Sequence, residues 1–403
     1  MILCENCFVD PVLVDLVKRS KAIIDRKKYK KCPCCGKNNP LLHDFKVPES
    51  VSSQLTKILD LYIPADNPVN GTYLIDELKD RWRIISKSIS KAKVIHLLNE
   101  IIPEYFEYKD DPFCSKVMLT SDLINEENII FTPKGEGSFF SIIDASWKNF
   151  EESVKFQNRY FSDVINKKVF QTFCDYLTRA VEKDQLFYRA RVSSTNHSYS
   201  FEEIYAPPKG KSNEGRLNAK GEWCLYLSSD EDTCIHEVRT VAHDYVCVGT
   251  FRLKEKIRVV DFSPIDTTIS PFIEEMDVKL YLCNIDYLRK IRNLFSKVVR
   301  SNSSGLNYIT TQFIADCIRS IKENKAPDSN YKFAGISYPS TVASLDFKGT
   351  NYAIFQEDLF ELDRPTVLYE ITDVSYTKTE IQDNYKVGTE IPIKTFTHLN
   401  YIE

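Results

Sequence analysis

Apolar residues fall three and four apart through much of the first half of the chain and alternate with polar ones in much of the second. Val51, Leu55, Ile58, Leu59 and Tyr62 mark one face of a helix over 51–62. Leu78, Trp82, Ile85, Ile89 and Ala92 mark a longer helix over 75–98, and Pro64, Asn67, Pro68 and Gly71 mark the turn between the two. Trp147, Phe150, Val154, Phe161, Val164 and Val169 return to the helical period over 146–177. Nearer the N-terminus, residues 12–24 are helix-compatible through Leu13, Leu16, Val17 and Ile23. Asp110-Asp111-Pro112 reads as a break and residues 131–138 as a loop. That loop holds glycines, but no Gly-Lys-Ser/Thr step follows, so it is not read as a phosphate loop.

From Leu186 the period becomes two. Residues 186–192 read as a strand with Arg189 and Arg191 on one face, and residues 223–227 as a second, short strand with Tyr226 near its end. Ser228 and Ser229 can cap a following helix, and Asp230, Glu231 and Asp232 suit its positive end. Cys234, Ile235, Val238, Val241 and Ala242 give that helix an apolar face, with Glu237 at its edge. Strands are expected over 245–253, 257–262, 333–341, 351–356 and 367–377, and a helix over 308–321 with Ile309, Phe313, Ile314, Cys317 and Ile321 inward. Residues 264–307 read as polar and partly helical, an insertion or helical lobe. The fold class is therefore α+β, divided as a Cys-rich module over 1–45, a helical domain over 46–184 and a mixed β-sheet domain with helices over 185–403.

A chain of 403 residues has room for two or three domains. Its formal charge of -4 gives no electrostatic footprint for nucleic acid or membrane. The basic stretch from Lys18 to Lys31 has few aromatics between its charges and reads as a solvated face. No run of eighteen apolar residues occurs, so no membrane span is expected, and the N-terminus lacks a secretory pattern. Five of the twelve cysteines cluster near the N-terminus and the others are scattered singly, as expected of reduced thiols in a cytoplasmic protein.

Cys4-x-x-Cys7 and Cys32-Pro33-Cys34-Cys35 form two pairs with 24 residues between them. Thiolates in two tight turns can complete a tetrahedron around one cation. Cys4, Cys7, Cys32 and Cys35 are the expected ligands of a Zn2+ ion, with Cys34 and then His43 as substitutes. Four thiolates leave no open position, so the metal would be structural and the module zinc-ribbon-like.

The densest chemistry lies between Gly215 and Arg239. Gly215-Arg216-Leu217-Asn218 reads as a turn presenting a guanidinium; Tyr226 follows ten residues after Arg216, and Glu237 eleven after that. Tyr338-Pro339-Ser340 and Asn351-Tyr352 come later. Together these resemble the RES domain, named for an Arg, a Glu and a Ser, over roughly residues 186–360. The N-terminal part is similar to the domain found fused to HEPN or RES domains, through Cys4 to Phe8, Trp147-Lys148-Asn149-Phe150 and Asn158-Arg159-Tyr160-Phe161. The first 180 residues lack the spaced Arg and His of HEPN ribonucleases, so RNA cleavage by this half is not expected.

The RES resemblance implies an ADP-ribosyltransferase-like fold that consumes NAD, often as the toxic half of a toxin–antitoxin or defence system. It implies Arg216 on pyrophosphate, Tyr226 stacked on nicotinamide, Glu237 against the developing positive charge and Ser340 as a further donor. Arg189, ahead of Arg191, would contact phosphate or ribose, while Asn218 and Asn351 would hold the loops. The expected partners are NAD and an antitoxin or immunity protein. The alternatives are transfer of ADP-ribose to a macromolecular side chain, or an inert zinc-anchored interaction module.

Overall fold

The computed structural model describes residues 1–403 except 24–29, 66–70, 109–115, 120–140, 144, 158, 160–163, 195, 298–304, 323–331, 341–348, 375–377, 380–394 and 397–403. The N-terminal region begins with β1 (Ile2–Cys4), α1 (Pro11–Arg19), β2 (Lys21–Ile23) and β3 (Leu42–Asp44), and its three strands pair in the order β1-β3-β2. Asp10 starts α1: its Oδ1 accepts from the Val12 and Leu13 amides at 3.0 and 3.2 Å, and Pro11 occupies the first helical position, where no N–H is needed.

Next come α2 (Glu49–Leu59), β4 (Tyr62–Pro64), β5 (Thr72–Tyr73) and the short α3 (Leu74–Asp76). They are followed by α4 (Lys91–Ile101), α5 (Pro103–Tyr108), β6 (Lys116–Leu119), α6 (Trp147–Phe156), α7 (Lys167–Tyr176) and β7 (Thr178–Val181). This mainly helical stretch also holds a small antiparallel sheet in the order β4-β6-β5.

The C-terminal part contains β8 (Leu186–Ser193), α8 (Phe201–Ile204), β9 (Leu225–Ser228), α9 (Glu231–Glu237), β10 (Tyr245–Leu253) and β11 (Ile257–Asp261). It continues with α10 (Ile265–Thr268), α11 (Val278–Ser296), α12 (Leu306–Arg319), β12 (Gly335–Pro339), β13 (Thr350–Ile354), β14 (Phe360–Leu362) and β15 (Val367–Glu370). The main sheet is curled and mixed, ordered β14-β10-β8-β9-β13-β12-β11-β7 with β15 also on β10. Among the described residues, only the β11–β12 pairing is parallel. Its edge strand β7 comes from the stretch expected to be helical.

One apolar cluster runs without a break from Leu3, Leu13 and Val17 through Trp82, Phe150 and Phe173 to Leu288, Ile314 and Phe355. The N-terminal half and the helices behind the sheet therefore share a core. A second cluster, with Phe187, Trp223, Phe251 and Tyr352, fills another side of the sheet, and a small third one around Ala190, Cys234, Val246 and Val248 seats α9.

Several sequence expectations are corrected. The single helix over 75–98 is interrupted: a π-helical turn over Glu77–Arg81 ends at Arg83, whose φ is +52°. Ile84 and Ile85 then run beside the cysteine region, where Val9 N–H donates to Ile84 O at 2.9 Å and Ser86 N–H to Cys7 O at 3.1 Å. Pairing with the cysteine segment thus overrides the helical period. The helix expected over 146–177 is two helices, α6 and α7. The residue 12–24 helix stops at Arg19, and Lys21–Ile23 is strand.

Helix α9 also ends earlier than its apolar pattern suggests. Arg239 adopts a φ of +53°, and Val241 is 54% exposed. Residues 264–307 are partly helical, as expected, through α10 and α11, but not a polar insertion: twelve of the 19 residues of α11 are buried, and the helix packs on both halves. The breaks and loops expected at Asp110-Asp111-Pro112 and residues 131–138 lie outside the described residues.

Candidate active site

The site exists because two neighbouring strands part company. β8 pairs with β10 along eight residue pairs, from Leu186↔Arg252 to Ser193↔Tyr245. With β9, on its other side, it pairs only at Tyr188↔Ser228. A strand that diverges leaves ladder groups to be satisfied by something else. Here the Arg189 guanidinium reaches across the split, donating from Nη1 to Tyr226 O at 2.9 Å. The gap is a cleft of about 560 Å³, within the roughly 300–1,000 Å³ range of small-molecule sites. Its walls include Arg189, Arg191, Arg216, Tyr226, Glu237 and Asn351.

Glu237 is the last residue of α9, and the start of that helix fixes it. Asp230, rather than Ser228 or Ser229, is the N-cap: its Oδ1 accepts from Thr233 N–H and its Oδ2 from Thr233 Oγ1, both at 2.8 Å. Gly349 lies so close that a Cβ there would meet Thr233 Oγ1 at 1.9 Å, so only glycine lets the β13 entry pass over this helix. At the far end, Ser340 Oγ and Asn351 Nδ2 both donate to Glu237 Oε1 at 2.6 Å. Ser228 Oγ in turn donates to Asn351 Oδ1 at 2.9 Å and holds that amide in its orientation. Among the described residues, Oε2 of Glu237 takes no protein partner. The carboxylate is therefore aimed through one oxygen, with the other left over.

The Gly215–Asn218 turn is closed by Gly215 N–H donating to Asn218 O at 3.0 Å. A Cβ on Gly215 would come within 2.4 Å of Asn218 Oδ1 and 2.6 Å of the Tyr226 hydroxyl. That hydroxyl accepts from Leu217 N–H at 2.9 Å and donates to Asn218 Oδ1 at 2.8 Å. Burial, reinforced by Cys224 and Tyr338, pushes the Tyr226 phenol well above its ordinary pKa, so it stays a donor. The buried Asn218 spends its Nδ2 on the carbonyls of Asn213, Ala219 and Glu222 at 2.9, 3.0 and 3.2 Å. Asn218 is thus a loop holder, while Tyr226 offers the cleft its ring rather than its hydroxyl.

The arginines differ in what they have left to give. Arg216 lines the cleft, but its Nη1 donates to Phe295 O, to Lys297 O at 2.6 Å and to Leu294 O at 3.4 Å. It caps the C-terminal end of α11, where carbonyls lack helical partners and the dipole favours a cation. Arg191 is exposed, donates to Glu203 O and lies 5.4 Å from the Tyr199 ring centroid. Arg189 is half-buried, and its Nε is buried without a hydrogen-bond partner among the described residues. Burial first, then repulsion from Arg191, pulls its pKa down to about 10, so it is still a cation at neutral pH. A half-buried guanidinium at the wall of the cleft suits an anionic ligand.

Sequence reasoning gave Tyr188 and Tyr338 no role of their own and took Ser228 only as a helix cap. Tyr188 marks where the strands separate, Ser228 orients Asn351, and buried Tyr338 lines the cleft. Ser228 could have been found, since it lies two residues after Tyr226 in the same strand. The others depend on strand divergence, which no local pattern records. Ser340 touches Glu237, and Asn218 stands behind the wall.

At the N-terminus, the Sγ atoms of Cys4, Cys7, Cys32 and Cys35 lie within 4.8 Å of one another. Cys4 is 3.9 Å from Cys7 and 3.4 Å from Cys35, and Cys7 is 3.6 Å from Cys32. Metal–thiolate bonds of about 2.3 Å in a tetrahedron set sulfurs ~3.8 Å apart, so this cluster can hold a metal ion. The substitutes stand aside: Cys34 is outside the group, and buried His43 places Nδ1 3.1 Å from Ser20 O.

No helix among the described residues is long and apolar enough to cross a membrane. No curated protein matches the chain. The RES domain family model matches residues 186–377, a span that includes the strands, helix and turn that form the cleft. A RES domain implies, in general, a toxin-like enzyme that works on NAD. Residues 186–377 of this chain are thus a RES domain, preceded by a four-cysteine cluster at the N-terminus.

Proposed function

We propose that this chain breaks the nicotinamide–ribose bond of NAD and passes the ADP-ribosyl group to water or phosphate, acting as a growth-arresting toxin or defence effector. The observation that carries this reading is a RES-domain cleft whose lining combines a cation, an aromatic residue and an oriented carboxylate. In the reaction the bond from ribose C1′ to the ring nitrogen breaks, and its electron pair leaves with nicotinamide, which becomes neutral. Positive charge grows on the ribose. The acceptor oxygen then bonds to C1′, and water in that role gives up a proton.

Each side chain has a part. Glu237, aimed by Ser340 and Asn351, sets negative charge against the ribose and accepts from a ribose hydroxyl through Oε2. Arg189 offers its charge to pyrophosphate from the cleft wall, ahead of Arg191, and Arg216 adds its charge from the end of α11. Tyr226 stacks its ring on nicotinamide. The divergent β8 and β9 are what an ADP-ribosyltransferase-like fold needs to admit a dinucleotide. We assign the metal as structural Zn2+, since four thiolates leave no position for substrate. A toxin of this kind needs an antitoxin or immunity protein as partner.

The test is incubation with NAD, nicotinamide release being followed and products weighed by mass spectrometry with and without phosphate. Nicotinamide together with free ADP-ribose, or with its phosphorylated form when phosphate is present, is the expected outcome. Intact NAD after prolonged incubation defeats the proposal, and ADP-ribose attached to a macromolecule instead redirects it to a transferase.

A further inference from the structure

The Gly215–Asn218 turn is gripped from behind by a helix that the site residues do not include. Gln312 of α12 donates from Nε2 to both ends of the turn, to Gly215 O at 2.9 Å and Asn218 O at 3.0 Å. Thr311 Oγ1 donates to Arg216 O, and Arg319 Nη2 to Leu217 O at 3.4 Å. Every carbonyl of the four-residue turn thus receives a side-chain donor from one helix. Thr311 and Gln312 are 1% and 9% exposed. Polar groups on the buried face of a helix are costly unless paired, and here the pairing is with the turn. On the opposite side, the same turn sends Arg216 to the end of α11 and receives the Tyr226 hydroxyl at Leu217 N–H.

We propose that Gln312 is a positioning residue for the cleft. One primary amide clamps both ends of the turn, so it sets the reach of Arg216 and the tilt of Tyr226 without itself lining the wall. The clamp deepens the NAD reading, and its effect on turnover rests on that reading; its effect on the turn does not. An amide with two donors on one nitrogen suits this task, because each hydrogen meets one carbonyl. Methionine matches its length and has no donor. Glutamate matches its shape and turns an acceptor toward two acceptors.

The experiment compares wild type with Gln312→Met, alone and combined with Arg216→Ala, by hydrogen exchange and by nicotinamide release. The clamp predicts faster exchange over residues 213–220 in Gln312→Met, with residues 245–253 unchanged. It also predicts a fall in kcat of roughly 10- to 100-fold, since small misplacements can cost that much, with a smaller change in KM. Adding Gln312→Met to Arg216→Ala produces little further loss, because both act through one turn. Unchanged exchange over the turn, wild-type kcat, or a full multiplicative loss in the double variant overturns the proposal. Should Gln312→Met fail to fold, Thr311→Val removes a neighbouring donor at nearly constant shape and is read in the same way. If wild type releases no nicotinamide, the NAD reading falls while the exchange result still decides the clamp.

Discussion

The cysteine cluster and the cleft are both assembled from segments distant in sequence, yet they end in opposite states. In the cluster four sulfurs face one another, and Cys4, Cys7 and Cys32 are at most 1% exposed. All the donor atoms are turned toward a common centre. In the cleft the commitment is partial: Glu237 uses one oxygen, Arg189 donates from Nη1 alone among the described residues, and Tyr226 ties up its hydroxyl while standing in the wall. A site that holds structure closes its valences, whereas one that meets a substrate keeps some in reserve. The difference can be broken by experiment from either side.

The largest effect is expected at the closed site. Cys4→Ser, or a strong chelator, should release the metal and destabilise the N-terminal region, since metal binding in zinc-finger peptides is worth about 10–16 kcal/mol. Cys4, Cys7 and Cys32 belong to the same apolar cluster as Leu13, Val17 and the helices behind the cleft, so the loss should spread. Metal analysis should give one zinc per chain in wild type, and the variant should melt at markedly lower temperature. Metal lost with no change in melting would erase the contrast.

At the open site the expectation reverses: a large effect on rate and a small one on folding. Glu237→Ala should slow nicotinamide release by about 10²–10³-fold, corresponding to ~3–4 kcal/mol of barrier. Its melting temperature should fall only modestly, because the carboxylate is half-buried and its removal costs just the two bonds from Ser340 and Asn351. Equal release by wild type and variant would remove Glu237 from catalysis.

The two regions also differ in how far sequence exposes them. The cysteine cluster is legible because its ligands come as two short pairs, and the chemistry of thiolates allows few other readings. The order Arg216, Tyr226, Glu237 is legible because a turn, a strand and a helix in succession carry it at fixed spacing. What those side chains are free to do is not. Arg216 spends Nη1 on the end of α11, which lies in a stretch read as polar, an insertion or helical lobe, although most of the helix is core. Its polar Asn284 and Arg289 are buried with partners: Asn284 Oδ1 accepts from Ile142 N–H at 2.6 Å, and Arg289 Nε donates to Asp266 Oδ1 at 2.8 Å. Periodicity cannot tell a satisfied buried polar residue from an exposed one. Likewise the break at Arg83 follows from pairing with the cysteine segment, a contact between residues more than seventy positions apart.

The smallest effect concerns Asp10, three residues after Cys7. It caps α1 and is 3% exposed. Burial pushes its carboxyl up to about 6, against the opposing pull of the Ser270 hydroxyl and the Leu13 and Val12 amides. The folded pKa thus exceeds the ordinary value of 3.8, so the folded state holds more protons between about pH 4 and 6. Stability from this group is fully present below that window and falls as pH rises through it, by on the order of 2–3 kcal/mol. Asp10→Asn keeps the Oδ1 acceptor for the α1 amides but cannot ionise. Denaturation of metal-loaded wild type and variant, measured at pH 4, 5, 6 and 7, should show the variant gaining on wild type as pH rises. Both proteins carry the same cysteine ligands, so proton competition for the metal cancels in the difference. Parallel curves would mean that water or a counter-charge already relieves the buried carboxylate.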